Sequence, residues 1–149
     1  MKIIVDTNII FSGLLNTNGI IGDLLFISDN VFRFYSCSYM RHEIEKHWEK
    51  LKRLSKFSDS ELEESRFKIF AKINFINEEL IPGKTWLAAE EIVEDIDIDD
   101  SDFIALTKHL KGNLWTGDKE LYNGLKRKNF KRVYNTTELI AFEGTKKLS

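Results

Sequence analysis

The sequence predicts an α/β fold built on a central, largely parallel sheet. Three observations carry that prediction. Short apolar or aromatic runs of strand length recur along the chain, segments with helical periodicity separate them, and the alternation persists from end to end. A parallel neighbour requires a crossover, usually a helix, so strands alternating with helices read as βαβ units.

"KIIV" (2–5) is a continuous apolar run, as expected of a strand covered on both faces. "DTN" ends it, and apolar helical material begins. A second helical stretch, 20–28, carries Ile20, Ile21, Leu24, Leu25 and Ile27. "FRFYS" (32–36) alternates and is aromatic, a strand pattern. Ser38 then stands as an N-cap before a stripe of Met40, Ile44, Trp48 and Leu51 at helical spacing. "SDSE" (58–61) is a capping box that opens a helix with Leu62, Phe67, Ile69, Phe70 and Ile73. "ELIP" reads as a short strand ended by Pro82, and a helix around Trp86–Ala89 follows. After an acidic cluster comes a helix over 101–110, then the strand "NLWT" (113–116) and a helix from "GDKELYNGL". "RVYN" (132–135) is a last strand, with Thr136 or Thr137 capping a final helix.

At 149 residues the chain reads as one domain, 1–149, with an extended helical insert around 55–82. A single cysteine, Cys37, excludes an intrachain disulfide framework and suits a reducing compartment. The start "MKIIVDTNIIFSGLL" has a weak likeness to a signal peptide, but Asp6 and Asn8 interrupt it and no small-residue cleavage site follows. No run approaches the ~20 apolar residues of a membrane helix. A cytoplasmic protein is expected. The net charge of −2 conceals local excesses. Base concentrates at 46–56 (Lys46, Lys50 and Arg53 among others) and at 126–132 (Lys126, Arg127, Lys128). Either run is a solvated helix face or a phosphate-backbone contact.

Acid concentrates at 90–102, most densely in "EDIDIDDSD" (94–102). One aspartate at a helix start is an ordinary cap worth ~1 kcal/mol, yet one helix needs only one cap. Asp6 directly follows an apolar strand, where a carboxylate is costly unless it is paired or faces a cleft. Asp118 lies just past "NLWT" in the same relation. Ligands of open α/β sheets sit beyond the carboxyl ends of the strands, so both acids point to one rim. Two carboxylates ~5 Å apart repel by roughly 3 kcal/mol at an effective dielectric near 20. No Lys or Arg in these motifs is aimed to neutralise them, and a divalent cation would. An all-oxygen site favours Mg²⁺ or Mn²⁺, and a carboxylate-held metal beside a cleft points to phosphate-ester chemistry.

Three other motif readings fail. An EF-hand loop starting at Asp95 needs Gly and Glu where Asp100 and Leu106 stand, and one starting at Asp97 meets Asp102 and Lys108. In "HEIEKH" His42 and His47 are five apart, a turn of ~140° that takes them off the shared face zinc requires.

"IIVDTNII", "SYMRHEI", "DIDDSDFIAL" and "LWTGDKEL", in that order and spacing, resemble the motifs of PIN-domain ribonucleases, a group that includes VapC-type toxins of toxin–antitoxin pairs. The resemblance runs from residue 2 to about 140. It implies a three-layer α/β/α, Rossmann-like fold with an acidic site at the C-terminal ends of the strands. It also implies that Asp6, Glu43, Asp100 and Asp118 hold Mg²⁺ or Mn²⁺ and carry catalysis. Glu45 competes with Glu43 for the second position, and Asp99 and Asp102 are alternative ligands. Asn8 and Thr116 map to supporting polar positions, and Glu120 falls where some members carry a further acid. The implied activity is cleavage of single-stranded RNA, with a homodimer and an antitoxin as further partners. The segment 55–82 is longer than in the short VapC-type pattern and suits a clamp, a lid or a dimer contact. Two rivals stand beside this reading. A haloacid-dehalogenase-like phosphatase also opens on a strand and an Asp, but wants Asp where Asn8 stands. A catalytically silent nucleic-acid-binding protein would have no use for four acids.

Overall fold

The computed structural model describes residues 1–27 and 31–148. The last residue of the 20–28 helix and Ser149 lie outside the described residues. In chain order the elements are β1 (Lys2–Val5), α1 (Thr7–Leu15), α2 (Ile20–Ile27), β2 (Arg33–Cys37), α3 (Tyr39–Lys46), α4 (Trp48–Leu54) and α5 (Asp59–Ala71). They continue with β3 (Ile73–Ile76), α6 (Gly83–Val93), α7 (Ser101–Leu110), β4 (Asn113–Trp115), α8 (Lys119–Arg127), β5 (Val133–Tyr134) and α9 (Thr136–Leu148). Single 3-10 turns, Glu78–Leu80 and Ile98–Asp100, precede α6 and α7.

Among the described residues the sheet has five strands in the order β3-β2-β1-β4-β5, every neighbouring pair parallel. Alternate residues of each strand feed opposite layers. Ile3, Val5, Phe34 and Trp115 join one core with Ile10, Leu14, Leu25, Ile44, Leu62 and Leu139, from α1, α2, α3, α5 and α9. Ile4, Leu114 and Val133 join another with Val93, Leu106 and Leu125, from α6, α7 and α8. The result is the three-layer α/β/α arrangement with a parallel sheet. Each fully buried aliphatic side chain contributes roughly 1.5–3 kcal/mol.

Several local expectations are corrected. "ELIP" is not a strand. The edge strand is "INFI" (73–76), and Ile81 is a buried loop residue packed in the second core. Segment 55–82 therefore supplies a sheet strand as well as a helix, and α5 packs on α1 and α2. The stripe from Met40 to Leu51 runs through two helices, because the backbone leaves helical geometry at His47. Ser38 makes no side-chain cap bond. The final helix is capped by Asn135 rather than by either threonine. The Asn135 side chain accepts from Glu138 N–H at 2.8 Å, and Glu138 accepts in return from Asn135 N–H at 3.1 Å. The Ser58–Glu61 capping box forms as predicted.

The strand order reverses between β1 and β4. The chain leaves β1 toward β2 and β3 and returns through α6 and α7 to pair β4 on the other side of β1. α1 departs from this point on one face and α8 on the other. A crevice at such a switch point is where open α/β sheets bind ligands. No single described helix is long and apolar enough to cross a membrane. The bent pair α1 and α2 has that composition, but most of its apolar residues lie in or against the core.

Candidate active site

Val5 and Trp115 are register partners at the ends of the two central strands, so Asp6 and Thr116 emerge side by side. Asp6 is only 4% exposed. It caps α1, its Oδ1 accepting from Ile9 N–H at 2.9 Å, and it also accepts from the Thr116 hydroxyl. Burial pushes its carboxyl up to about 6. The Thr116 bond and the backbone donors oppose that rise, and the Asp118 charge adds to it.

Asp118 caps α8, its Oδ1 accepting from Glu120 N–H at 2.9 Å and Leu121 N–H at 3.1 Å. Its own N–H donates to Thr116 Oγ1 at 3.0 Å, so Thr116 links the two acids. Glu120 itself is exposed.

Asp100 ends the 3-10 turn ahead of α7. Ile96, ahead of the turn, packs so closely on Gly124 of α8 that a Cβ at Gly124 would lie 2.6 Å from it. Asp100 makes no capping bond. Its Oδ2 is buried with no hydrogen-bond partner. Burial first, then the charges of Asp97, Asp6, Asp118 and Asp99, push its carboxyl up to about 7. The cap of the preceding turn is Asp97, which accepts from Asp99 N–H at 3.0 Å.

Asp6 and Asp100 border a cleft of about 540 Å³ beyond the strand ends. Asp6, Asn8, Glu43, Asp99, Asp100 and Asp102 all line it. Asp118 lies outside that lining, in a neighbouring groove of about 270 Å³ with Thr116 and Lys119, and reaches the cleft acids through its charge. Glu43 faces the cleft, 3.8 Å from His47 Nε2, whereas Glu45 is turned away to Arg66 at 2.8 Å. Asp102 is raised by burial and by Glu78 and Glu43. Asn8 is exposed at the cleft mouth.

The basic runs differ in placement. Lys46 is one turn beyond Glu43 on α3, with Lys50 and Arg53 exposed along α4. Lys126, Arg127 and Lys128 stand at the far end of α8, about 13 Å of helix from Asp118. Lys128 is held there by Asp95 and the Ile92 carbonyl, and Lys126 lies over the Tyr122 ring.

Two site residues escaped the sequence reading. Tyr39 hydrogen-bonds to Glu43, which holds its phenol above the ordinary range. The four-residue spacing on one helix was the available signal. Glu78 accepts from Tyr39 N–H at 3.4 Å and sits beside Asp102. It follows β3, so only a correct assignment of that strand would have put it at the rim.

With four acids of the sequence motifs ranged about one strand rim, the comparison with known families is decisive: the model of the PIN domain matches residues 4–142. The chain belongs to the PIN-domain family. A search of curated proteins found no match. PIN domains are generally nucleases that use divalent metal ions. The residues of this PIN domain fit such an ion in donor chemistry. All are carboxylate oxygens, Asp100 Oδ2 is buried without a partner, and among the described residues no Lys or Arg forms an ion pair with Asp6, Asp100 or Asp118. Their spacing is looser than a gripped ion demands. No three His, Cys, Asp or Glu side chains among the described residues form a group able to hold a metal as they stand. Mutual repulsion of like charges favours that spread.

Proposed function

We propose that this PIN domain is a Mg²⁺- or Mn²⁺-dependent endoribonuclease that hydrolyses phosphodiester bonds in single-stranded RNA. The observation that carries the reading is the buried, unpartnered Oδ2 of Asp100 among the charges of Asp6 and Asp118. A buried carboxylate oxygen without a donor is costly and calls for a cation.

Asp6, Glu43, Asp100 and Asp118 would hold the ion, with Asp99 and Asp102 at its margin. When bound, the ion supplies Lewis acidity to the scissile phosphate and acidifies the attacking water. Thr116 fixes Asp6 and Asp118 relative to each other, and Asn8 offers an amide to the substrate at the cleft mouth. Lys46, Lys50 and Arg53 extend from Glu43 as a path for the phosphate backbone.

The same reading takes in RNA as partner, a homodimer, a cytoplasmic location and, if the chain is a toxin of the VapC type, an antitoxin that fills the cleft. The exposed apolar side chains of Leu54 and Phe67 are available for a protein contact.

Purified protein should cut single-stranded RNA with Mg²⁺ or Mn²⁺ and stop in chelator. Asp6→Asn, Glu43→Gln, Asp100→Asn and Asp118→Asn should each abolish cleavage with an unchanged circular dichroism spectrum. Cleavage surviving Asp6→Asn, or hydrolysis of small phosphomonoesters without cleavage of RNA, sinks the proposal.

A further inference from the structure

The cleft is lined by two unlike kinds of side chain. Asp6, Glu43, Asp99, Asp100 and Asp102 are acidic. Phe11, Tyr39, Met40 and Phe103 are apolar and largely aromatic. A bare phosphate is repelled by the first kind and has no partner in the second. A flat uncharged ring suits the second. A nucleotide presents both kinds of surface.

Tyr39 is the aromatic side chain of this lining that stands out to solvent, at 47% exposed. A ring of that size normally buries most of its surface, so leaving it in water forgoes stabilisation. It is nevertheless tethered. Its hydroxyl bonds to Glu43, its N–H donates to Glu78 Oε2 at 3.4 Å, and its ring leans against His42 with centroids 6.1 Å apart and a 43° tilt. An exposed aromatic held by its polar handle and its backbone is an ordered platform that spends little conformational entropy when a ligand lands on it.

We propose that Tyr39 is a stacking shelf for an unpaired base beside the scissile phosphate, and that it determines the preference for single strands. The inference rests on the nuclease reading above and adds the group that recognises the substrate. A base inside a duplex has both faces covered by its neighbours, so only an unstacked base can use the shelf. Every base has a π-face, so the contact selects for single-strandedness and not for sequence. The hydroxyl bond to Glu43 fixes the ring on the same side of the cleft as the acid whose oxygen would face the ion, which places the base next to the bond to be cut.

The test uses the full chain and three fluorescent oligoribonucleotides: a single strand, its duplex, and single strands with one abasic position moved along the sequence. Tyr39→Ala should raise KM for the single strand by about five- to 150-fold, the range for loss of one stacked base. Tyr39→Phe and Tyr39→Trp, which keep a ring, should stay within about threefold of wild type on the same scale. For wild type one abasic position should weaken binding by a similar factor, and in Tyr39→Ala that position should have no further effect. Equal losses in Tyr39→Phe and Tyr39→Ala would show that the hydroxyl on Glu43 is what matters, and would overturn the shelf. Additive abasic and Tyr39→Ala effects would also overturn it. RNA cleavage by a protein whose Tyr39 variants all match wild type would remove this inference and leave the nuclease. A protein that neither binds nor cuts any of the oligomers would remove both.

Discussion

The Thr116 hydroxyl donates to the Asp6 carboxylate while Thr116 Oγ1 accepts from Asp118 N–H at 3.0 Å. One short side chain thus spans the two central strand ends and serves both acids. Its donation is the largest influence holding the Asp6 carboxyl down against burial.

Thr116→Val keeps the shape and removes both bonds. The Asp6 carboxyl should then rise above its value of about 6, because burial is no longer opposed. An ion is held by the carboxylate form, so the acidic limb of the pH–rate profile should move to higher pH. A hydrogen bond to a charged group is worth ~1.5–3 kcal/mol, so cleavage near pH 6 should drop by roughly tenfold or more. Thr116→Ser should restore the profile. An unmoved limb in Thr116→Val would show that Asp6 does not titrate in the rate-determining state.

Glu43 and Glu45 are adjacent candidates that the structure separates. Glu45 Oε2 binds Arg66 Nη1 at 2.8 Å, and the same guanidinium stacks on Trp48 and binds Glu63 at 2.7 Å. Glu43 lines the cleft. Glu45→Gln should leave kcat within about twofold and lower stability by ~0.2–1 kcal/mol, since its carboxylate is largely exposed. Glu43→Gln should abolish turnover. The reverse pattern in steady-state kinetics would transfer the second acid to Glu45.

The two basic runs should part company in a salt titration of RNA binding by the inactive Asp6→Asn variant. Replacing Lys46, Lys50 and Arg53 with Ala removes three backbone contacts beside Glu43, and the slope of log affinity against log salt should flatten by about two. Replacing Lys126, Arg127 and Lys128 should leave the slope unchanged. Those residues end α8 on the side of the sheet away from the acids, and Lys128 is already paired with Asp95. Flattening by the second set would place RNA across the far edge of the sheet.

What could be read from the sequence was local. Asp6 after "KIIV" and Asp118 after "NLWT" are legible because a parallel strand is a continuous apolar run and its end is abrupt. β3 was hidden because Ile73 falls four residues after Ile69, in phase with the α5 stripe. "ELIP" imitated a strand because Ile81 is buried, although in the loop that leads into α6. The break at His47 was invisible because Met40, Ile44, Trp48 and Leu51 keep helical spacing across it. Asn135 lost to its neighbours on paper because Asn and Thr both cap well. In space Thr136 Oγ1 is occupied by the Trp115 indole at 3.0 Å, and Asn135 has Glu138 three residues on to close the box. Tyr39 and Glu43 on α3, Glu78 after β3 and Asp102 on α7 form a neighbourhood drawn from three separate segments, which no single-sequence pattern announces.

The destabilisation built into the acidic rim gives a test that needs no substrate. The Asp100 carboxyl sits at about 7 and that of Asp6 at about 6, both raised from 3.8. For a raised acid the folded state binds more protons than the unfolded state between the two values, so stability falls as pH rises through that window. Metal-free protein should therefore gain stability as pH drops from about 7 toward 4, where these acids are concerned. Asp100→Asn removes the charge and keeps the shape. In chelator at pH 7 it should melt above wild type by about 3 °C, the equivalent of about 1 kcal/mol after allowing for the water that reaches this half-buried group. The two curves should converge as pH falls, provided the fold persists. Added Mn²⁺ should stabilise wild type by ~2.7 kcal/mol at a hundred times its dissociation constant, and Asp100→Asn by much less. Asp100 makes no capping bond, so the cap account offers nothing to offset the relieved repulsion. An Asp100→Asn protein that melts below wild type in chelator and responds to Mn²⁺ in full would place Asp100 outside the ion site.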